Sequence, residues 1–346
     1  MMEFRGELPK TLAILREACD ASGVGFEVVD TYSGFVVRLT KGPHSFPVCA
    51  SKLSVYPINR ATSASIARDK TWAHYVLEAG GYRVPPGDYF FLKTPRAGWE
   101  RPPGRERADA FAYAARISDN YKKPLIAKPN AGTGAHFVTF VTGETDLRHA
   151  LDLITVEDEI ALVQSFVDQP EFRLFLVDGE IMFIYRKTRA SIRGDGLANI
   201  RELTAALAAG ARRPVDLRAL LASPFLAWRL RSRGLTLESV LPGGETLQVD
   251  AVSNISAGGQ FTGFIEPSEP LRAWARRIAR TIGLRVTGID AFSHSELRDT
   301  ADIIVTDVNG SPNLGTLHDM GHKKIVQDVW THILHKTFHE PWPDGF

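Results

Sequence analysis

Lys128-Pro129-Asn130-Ala131-Gly132-Thr133-Gly134-Ala135 follows directly on the apolar run 124–127 and leads directly into a second extended run from His136. A lysine that ends a strand, followed by glycines that let backbone N–H groups approach oxygen atoms, makes a phosphate clamp. The same stretch also reads as an ordinary hairpin loop. What decides between the two lies on either side.

Toward the N-terminus, Leu12, Ile14, Leu15 and Ala18 recur at helical spacing, and residues 26–30 and 35–40 alternate as strands do. Thr62 and Ser63 can cap one helix carrying Ile66, Trp72, Tyr75, Val76 and Leu77, which Gly80-Gly81 stops before Pro85-Pro86. Residues 94–107 read as an exposed loop and about 107–117 as a helix. Toward the C-terminus, 160–166 is an apolar strand, and Asp178-Gly179 between two such runs predicts a tight hairpin. A helix-rich stretch reaches about Arg233. Strands are then expected at 246–249, 287–292 and 302–308, with helices at 271–282 and about 323–335. The pattern is α+β with large mixed sheets. Its expected divisions are a short N-terminal α/β region (1–62), a part holding the glycine loop (63–165) and a part holding the last strands (166–346).

The last strands carry a second constellation. Residues two apart on a strand project from one face, so Asp307 and Asn309 point together, and Asp290 ends a strand that could lie beside them. Two carboxylates and an amide oxygen suit Mg²⁺, a hard cation that accepts phosphate as co-ligand. An Asx-turn at Asn309-Gly310-Ser311-Pro312 is the plainer reading.

Several classes are excluded. The chain has no Gly-x4-Gly-Lys-Ser/Thr, no Gly-x-Gly-x-x-Gly opening a helix and no Gly-x-Ser-x-Gly. A formal net charge of +1 gives no case for nucleic acid or an acidic membrane surface. Cys19 and Cys49 read as small buried side chains in a reducing compartment. With no signal-peptide pattern and no bilayer-spanning run, the expectation is a soluble cytoplasmic protein. His335, His339 and Glu340 read as a solvated helix face before a metal edge. The arginines Arg212, Arg213, Arg218, Arg229, Arg231 and Arg233 read first as exposed surface and second as a dock for an anionic substrate.

Taken in order from about Asn59 to about His318, these pieces resemble the ATP-grasp ligases, most of all cyanophycin synthetase and the ligase module of bifunctional glutathione synthetases. The resemblance rests on the following stretches of this sequence: Asp69-Lys70 with Gly80-Gly81-Tyr82-Arg83-Val84-Pro85, the loop Lys128 to Gly134, Val163-Gln164-Ser165-Phe166-Val167 with Glu171-Phe172-Arg173, and Ala190 to Gly196. It continues through Leu241-Pro242-Gly243-Gly244-Glu245, Asn254 to Gly259, Gly288-Ile289-Asp290 and Asp307 to Pro312. It implies an ATP-grasp fold, two α+β subdomains clasping ATP, and an ADP-forming ligase that joins a carboxylate to an amine of an amino acid or peptide through an acyl phosphate.

By the same resemblance, Lys70 and Lys128 contact ATP phosphates and Gly132 and Gly134 form a lid loop. Gln164, Ser165, Phe166 and Val167 hold adenine, and Glu171 the ribose. Asp290, Asp307 and Asn309 bind Mg²⁺, while Arg173, Lys187 and Arg189 are cations for the transferred phosphate or the substrate carboxylate. The family has Glu at the positions of Gln164 and Asp307, which leaves open whether one or two Mg²⁺ bind. It has Pro-Gly where Pro312-Asn313 stands. A cyclising ligase and a non-catalytic nucleotide-binding module are the competing readings. Small amino acids or peptides are the expected partners, with no nucleic acid or membrane and a homodimer left open.

Overall fold

The computed structural model describes residues 4, 6–50, 53–94, 100–132, 136–211, 215–253 and 260–339. The chain opens with α1 (Lys10–Ser22), closed at Gly23 by a left-handed φ of 63°, and an antiparallel sheet of β1 (Gly25–Val28), β2 (Val36–Lys41) and β3 (His44–Cys49) in that order. The sequence gives no sign of β3: it is largely exposed and holds Pro47, which an edge strand tolerates. Cys19 is buried as expected, but Cys49 is exposed, because β3 turns that residue outward.

The single helix expected after Thr62 is two, α2 (Ala61–Arg68) and α3 (Lys70–Ala79). Asp69 between them is extended (φ −86°, ψ 105°), and its carboxylate accepts from the Trp72 N–H at 2.9 Å, starting a new helix. Next come β4 (Gly87–Phe91), α4 (Asp109–Ile117), β5 (Leu125–Pro129), β6 (Thr139–Val141), α5 (Glu144–Glu157) and β7 (Ile160–Ser165). The strands form an antiparallel sheet ordered β4-β7-β5-β6. Residues 144–157, given no element from the sequence, bury Leu147, Ala150, Leu151 and Ile154 at helical spacing under this sheet.

A larger sheet follows. β8 (Glu171–Val177) and β9 (Glu180–Thr188) meet at Asp178-Gly179, both with positive φ as their turn requires. An inserted unit comprises β10 (Ser191–Arg193), α6 (Ile200–Ala209), α7 (Leu217–Leu221), α8 (Pro224–Ser232) and β11 (Thr246–Gln248). Then come β12 (Gln260–Phe264), α9 (Glu269–Ile282), β13 (Val286–Phe292), β14 (Ile304–Asn309), α10 (Gly315–Asp319) and α11 (Lys323–His339). The large sheet is ordered β12-β9-β8-β13-β14.

Alternation along β8 positions the site. Phe172, Leu174 and Leu176 face one way and share a core with Ile278 and Ile282 of α9, and with Ala67 and Leu77 of α2 and α3. Phe175 and Val177 face the other way, into a core with Tyr56, Trp330 and the N-terminal unit. Glu171 and Arg173 continue that second face beyond the apolar core, so the sheet runs from packed interior into an open floor.

Candidate active site

The floor belongs to a cleft of about 660 Å³, whose other wall comes from β5 and the exit of β7. On the β5 wall, Lys128 is only 8% exposed, and its ammonium has no hydrogen bond or ion pair among the described residues. Burial, reinforced by neighbouring Lys70, pulls its pKa down to about 8.

Lys70 opens α3. Its N–H donates to the Asn130 carbonyl (3.2 Å) and its ammonium to the Gly132 carbonyl (2.7 Å). The Asn130 side-chain oxygen accepts from Thr71 N–H and Oγ1 (3.0 and 2.8 Å), and Asp158 accepts from the Ala131 N–H (2.8 Å). The first half of the glycine loop is therefore pinned to α3. A Cβ on Gly132 would sit 3.1 Å from Pro129. Gly134 lies outside the described residues. His74 is buried behind this wall, with Nε2 3.2 Å from the Thr306 carbonyl. Burial, then Lys128, pushes its pKa down to about 4, so it adds no charge.

At the exit of β7 the Ser165 and Phe166 N–H groups donate to the Pro86 and Pro124 carbonyls, 2.8 and 3.1 Å away. The Val167 N–H has no partner among the described residues. The Gln164 side chain is buried, lines the cleft, and its Oε1 has no hydrogen-bond partner among the described residues. A buried acceptor left unmatched costs free energy unless something supplies a donor. Gln164 and Val167 therefore offer one free acceptor and one free donor, the pair an adenine edge presents in reverse.

Arg189 differs from the expected free cation. Its Nε, Nη1 and Nη2 donate to Ala251 O (3.0 Å), Asp168 (2.6 Å) and Val167 O (2.9 Å), and its guanidinium lies 4.8 Å from the Phe166 ring centre. Arg229, read from sequence as exposed surface, is drawn into the same knot. It reaches Asp168 with two hydrogen bonds of 3.0 Å and stacks on Phe225 and Trp228. The reason is Asp168, the carboxylate that both guanidiniums share. Nothing in the arginine run itself marks Arg229 apart. Arg212 and Arg213 lie outside the described residues.

The large-sheet wall is self-neutralised. Arg173 donates through Nε and Nη2 to both Asp290 oxygens (2.5 and 2.6 Å), Lys187 stands 3.3 Å from Asp290, and Lys187 also pairs with Glu171. Burial opposes every charge here, but the partners outweigh it. Asp290 is held well below the usual carboxylate range, and Arg173 and Lys187 are held above theirs. Asp307 lies directly across the β13–β14 ladder from Asp290, beside a bulge at Thr306, and its carboxylate has no hydrogen bond or close ion pair among the described residues. Asn309 is across from Gly288, and its Oδ1 accepts from the Ser311 N–H (2.8 Å), the expected Asx-turn. Among the described residues no three His, Cys, Asp or Glu side chains cluster as a metal site, His335 and His339 included; Glu340 lies outside them.

The donor set nevertheless fits a hard cation. Asp307 is unpaired among the described residues, Asn309 Oδ1 keeps a second lone pair, and Asp290 Oδ2 can accept one contact beyond Arg173, while Oδ1 is shared with Lys187.

Two sheets closing on such a cleft define the ATP-grasp fold, which is the fold of this chain. It superposes on a bifunctional glutathione synthetase from Pasteurella multocida with a TM-score of 0.54 and 21% identity, over 96% of this chain and 45% of that one. In sequence it is similar to the glutathione biosynthesis bifunctional protein of Streptococcus mutans, with 28% identity over 78% of this chain and 34% of that protein. It is also similar to the cyanophycin synthetase of Crocosphaera subtropica, with 24% identity over 95% of this chain and 36% of that protein. The chain thus spans about a third of the length of these curated relatives. No family model matches it. Among the described residues, no helix is long and apolar enough to cross a membrane.

Proposed function

We propose that the chain is an ADP-forming ligase that activates a carboxylate with ATP and joins it to an amine of an amino acid or peptide. One observation carries this reading: Lys128, a buried ammonium, faces Asp307 across a cleft large enough for a nucleotide, and neither has a hydrogen-bond or ion-pair partner among the described residues. A phosphate chain bearing a divalent cation satisfies both. The names of the relatives support it: one is a glutathione biosynthesis protein and the other a cyanophycin synthetase. We assign residues 63–165 and 166–346 to the two clasping halves and 1–62 to an appended unit.

Lys70 and Lys128 neutralise the phosphates and hold them in line. Gln164 and Val167 orient adenine, with Ser165 and Phe166 shaping the hinge and Arg189 fixing it from behind. Gly132 and Gly134 belong to the lid, and Glu171 reaches the ribose. Asp307, Asn309 and Asp290 would hold Mg²⁺, which supplies charge neutralisation at the terminal phosphoryl group. A carboxylate oxygen takes that phosphoryl group, and the bond to ADP breaks. The amine then attacks the acyl carbon, phosphate leaves with the former carboxylate oxygen, and the ammonium gives up a proton. The protein supplies position and charge with no covalent nucleophile, and Arg173 and Lys187 stand beside the transfer.

Release of ADP and phosphate that requires both carboxylate and amine tests the assignment. With the carboxylate labelled in heavy oxygen, one label should pass to phosphate. AMP as product, or unlabelled phosphate, would overturn it. Loss of water from a single substrate would mark the cyclising variant.

A further inference from the structure

We propose, building on the ligase reading, that the carboxylate donor carries a small uncharged side chain, which enters a small recess behind Arg173. This cavity, of about 20 Å³, adjoins the cleft: Arg173, Tyr185, Asn313 and Thr316 line both. Two donors at its mouth are uncommitted. Arg173 Nη1 makes no hydrogen bond among the described residues, while Nε and Nη2 serve Asp290. The Asn313 side chain accepts from the Gly315 N–H through Oδ1 (2.6 Å), and its NH₂ has no acceptor among the described residues. A carboxylate bound between these donors lies beside Asp290, where phosphoryl transfer is assigned, and its α-carbon substituent faces inward.

The chemistry of the interior fixes the class of that substituent. Behind the mouth stand Phe183, Phe261, Leu317 and Met320, with no charged group among them. A charged side chain there would lose its water with no counter-charge. Size is limited as well, because a single water needs roughly 10–15 Å³ by the same kind of measure. The cavity takes a hydrogen, a methyl or a hydroxymethyl group, and nothing branched.

Its walls differ in how firmly they stand. Phe183 stacks on Phe175 (5.0 Å between centroids) and Tyr185 (6.0 Å), and Phe261 meets Tyr185 edge-on at 5.3 Å. These rings ride on paired strands, Phe175 opposite Phe183 and Arg173 opposite Tyr185. Met320 ends the short α10, is half-buried and is unbranched, so it is the wall that can be reshaped without disturbing the sheet.

The test is a panel of carboxylates scored by ADP release with a fixed mixture of amines. Glycine, and both enantiomers of alanine, serine, leucine, phenylalanine, aspartate and arginine, are offered free and as the C-terminal residue of dipeptides. Glycine, alanine or serine should exceed the others at least ten-fold in kcat/KM, the scale a tight apolar pocket gives for one or two added carbons. Met320→Ala should raise leucine relative to alanine at least ten-fold, with ATP affinity unchanged as the control for folding. Preference for a charged or bulky donor, or a leucine-to-alanine ratio indifferent to Met320→Ala, would overturn the assignment while leaving the ligase reading intact. Absence of ADP from every carboxylate would instead sink the ligase reading, and this one with it.

Discussion

The two walls of the cleft carry similar numbers of cations and treat them in opposite ways. On the large sheet, Arg173 and Lys187 are matched by Asp290 and Glu171, and each is more firmly charged than in water. On the small sheet, Lys128 makes no ion pair among the described residues, and burial with Lys70 beside it, only partly offset by Asp307, Asp290 and Glu171 at longer range, makes it less firmly charged than in water. A matched cation holds a wall together. An unmatched buried cation serves something that arrives from outside. The difference separates structure from reception within one site, which a list of its lysines and arginines would not.

The largest expected effect comes from breaking a match. Asp290→Ala leaves Arg173 and Lys187 buried without their carboxylate, so unfolding in denaturant should show a loss of about 3–5 kcal/mol, with turnover lost as well. Wild-type stability in that variant would mean the wall is not held by the pairing. Breaking the unmatched side should do the reverse. Lys128→Met should keep or raise the melting temperature while weakening ATP binding about 100-fold by calorimetry. A protein that melts early with unchanged ATP affinity would exchange the roles of the two walls.

The pH dependence of stability sharpens the same contrast. Unfolded Lys128 keeps its proton to about pH 10.4, whereas the folded side chain releases it near pH 8. Between those values the unfolded chain binds more protons, so Lys128 makes stability rise with pH across that window. Urea titrations at pH 7.5 and 9.5 should show the rise in wild type and a smaller one in Lys128→Met. The smallest effect belongs to the hinge. Gln164→Leu should cost about ten-fold in ATP affinity and nothing in stability, because its Oε1 has no partner to lose. A drop in stability there would show that Gln164 serves the fold.

Much of this was legible in the sequence, and the limits follow from physics. Asp178-Gly179 announces its hairpin because the turn demands positive φ. Asp290 and Asp307 can be read as strand partners because strand faces alternate, and the ladder does set them opposite one another. Pairing between side chains distant in the chain leaves no local trace. Asp168 therefore draws Arg189 and Arg229 into the hinge from 21 and 61 residues away, although Arg189 reads as a cation for phosphate or substrate and Arg229 as exposed surface. The break at Asp69 was hidden because a capping aspartate looks like any polar residue within a helical pattern. His74 lies in no motif and the loop motif gives Asn130 no role, and only their burial against Thr306 and Thr71 shows what they support.

The claim that Lys128 waits for the nucleotide's phosphates is tested most directly by proton uptake on binding. At pH 8 the buried ammonium is about half-protonated when free, and phosphate beside it should restore the missing charge. Calorimetry of Mg–ATP binding in two buffers of different ionisation enthalpy should therefore report an uptake of about 0.5 proton in wild type. The uptake should fall to near zero in Lys128→Met. Equal uptake by the two proteins, or none in wild type, would contradict the assignment of the unmatched wall to the phosphates.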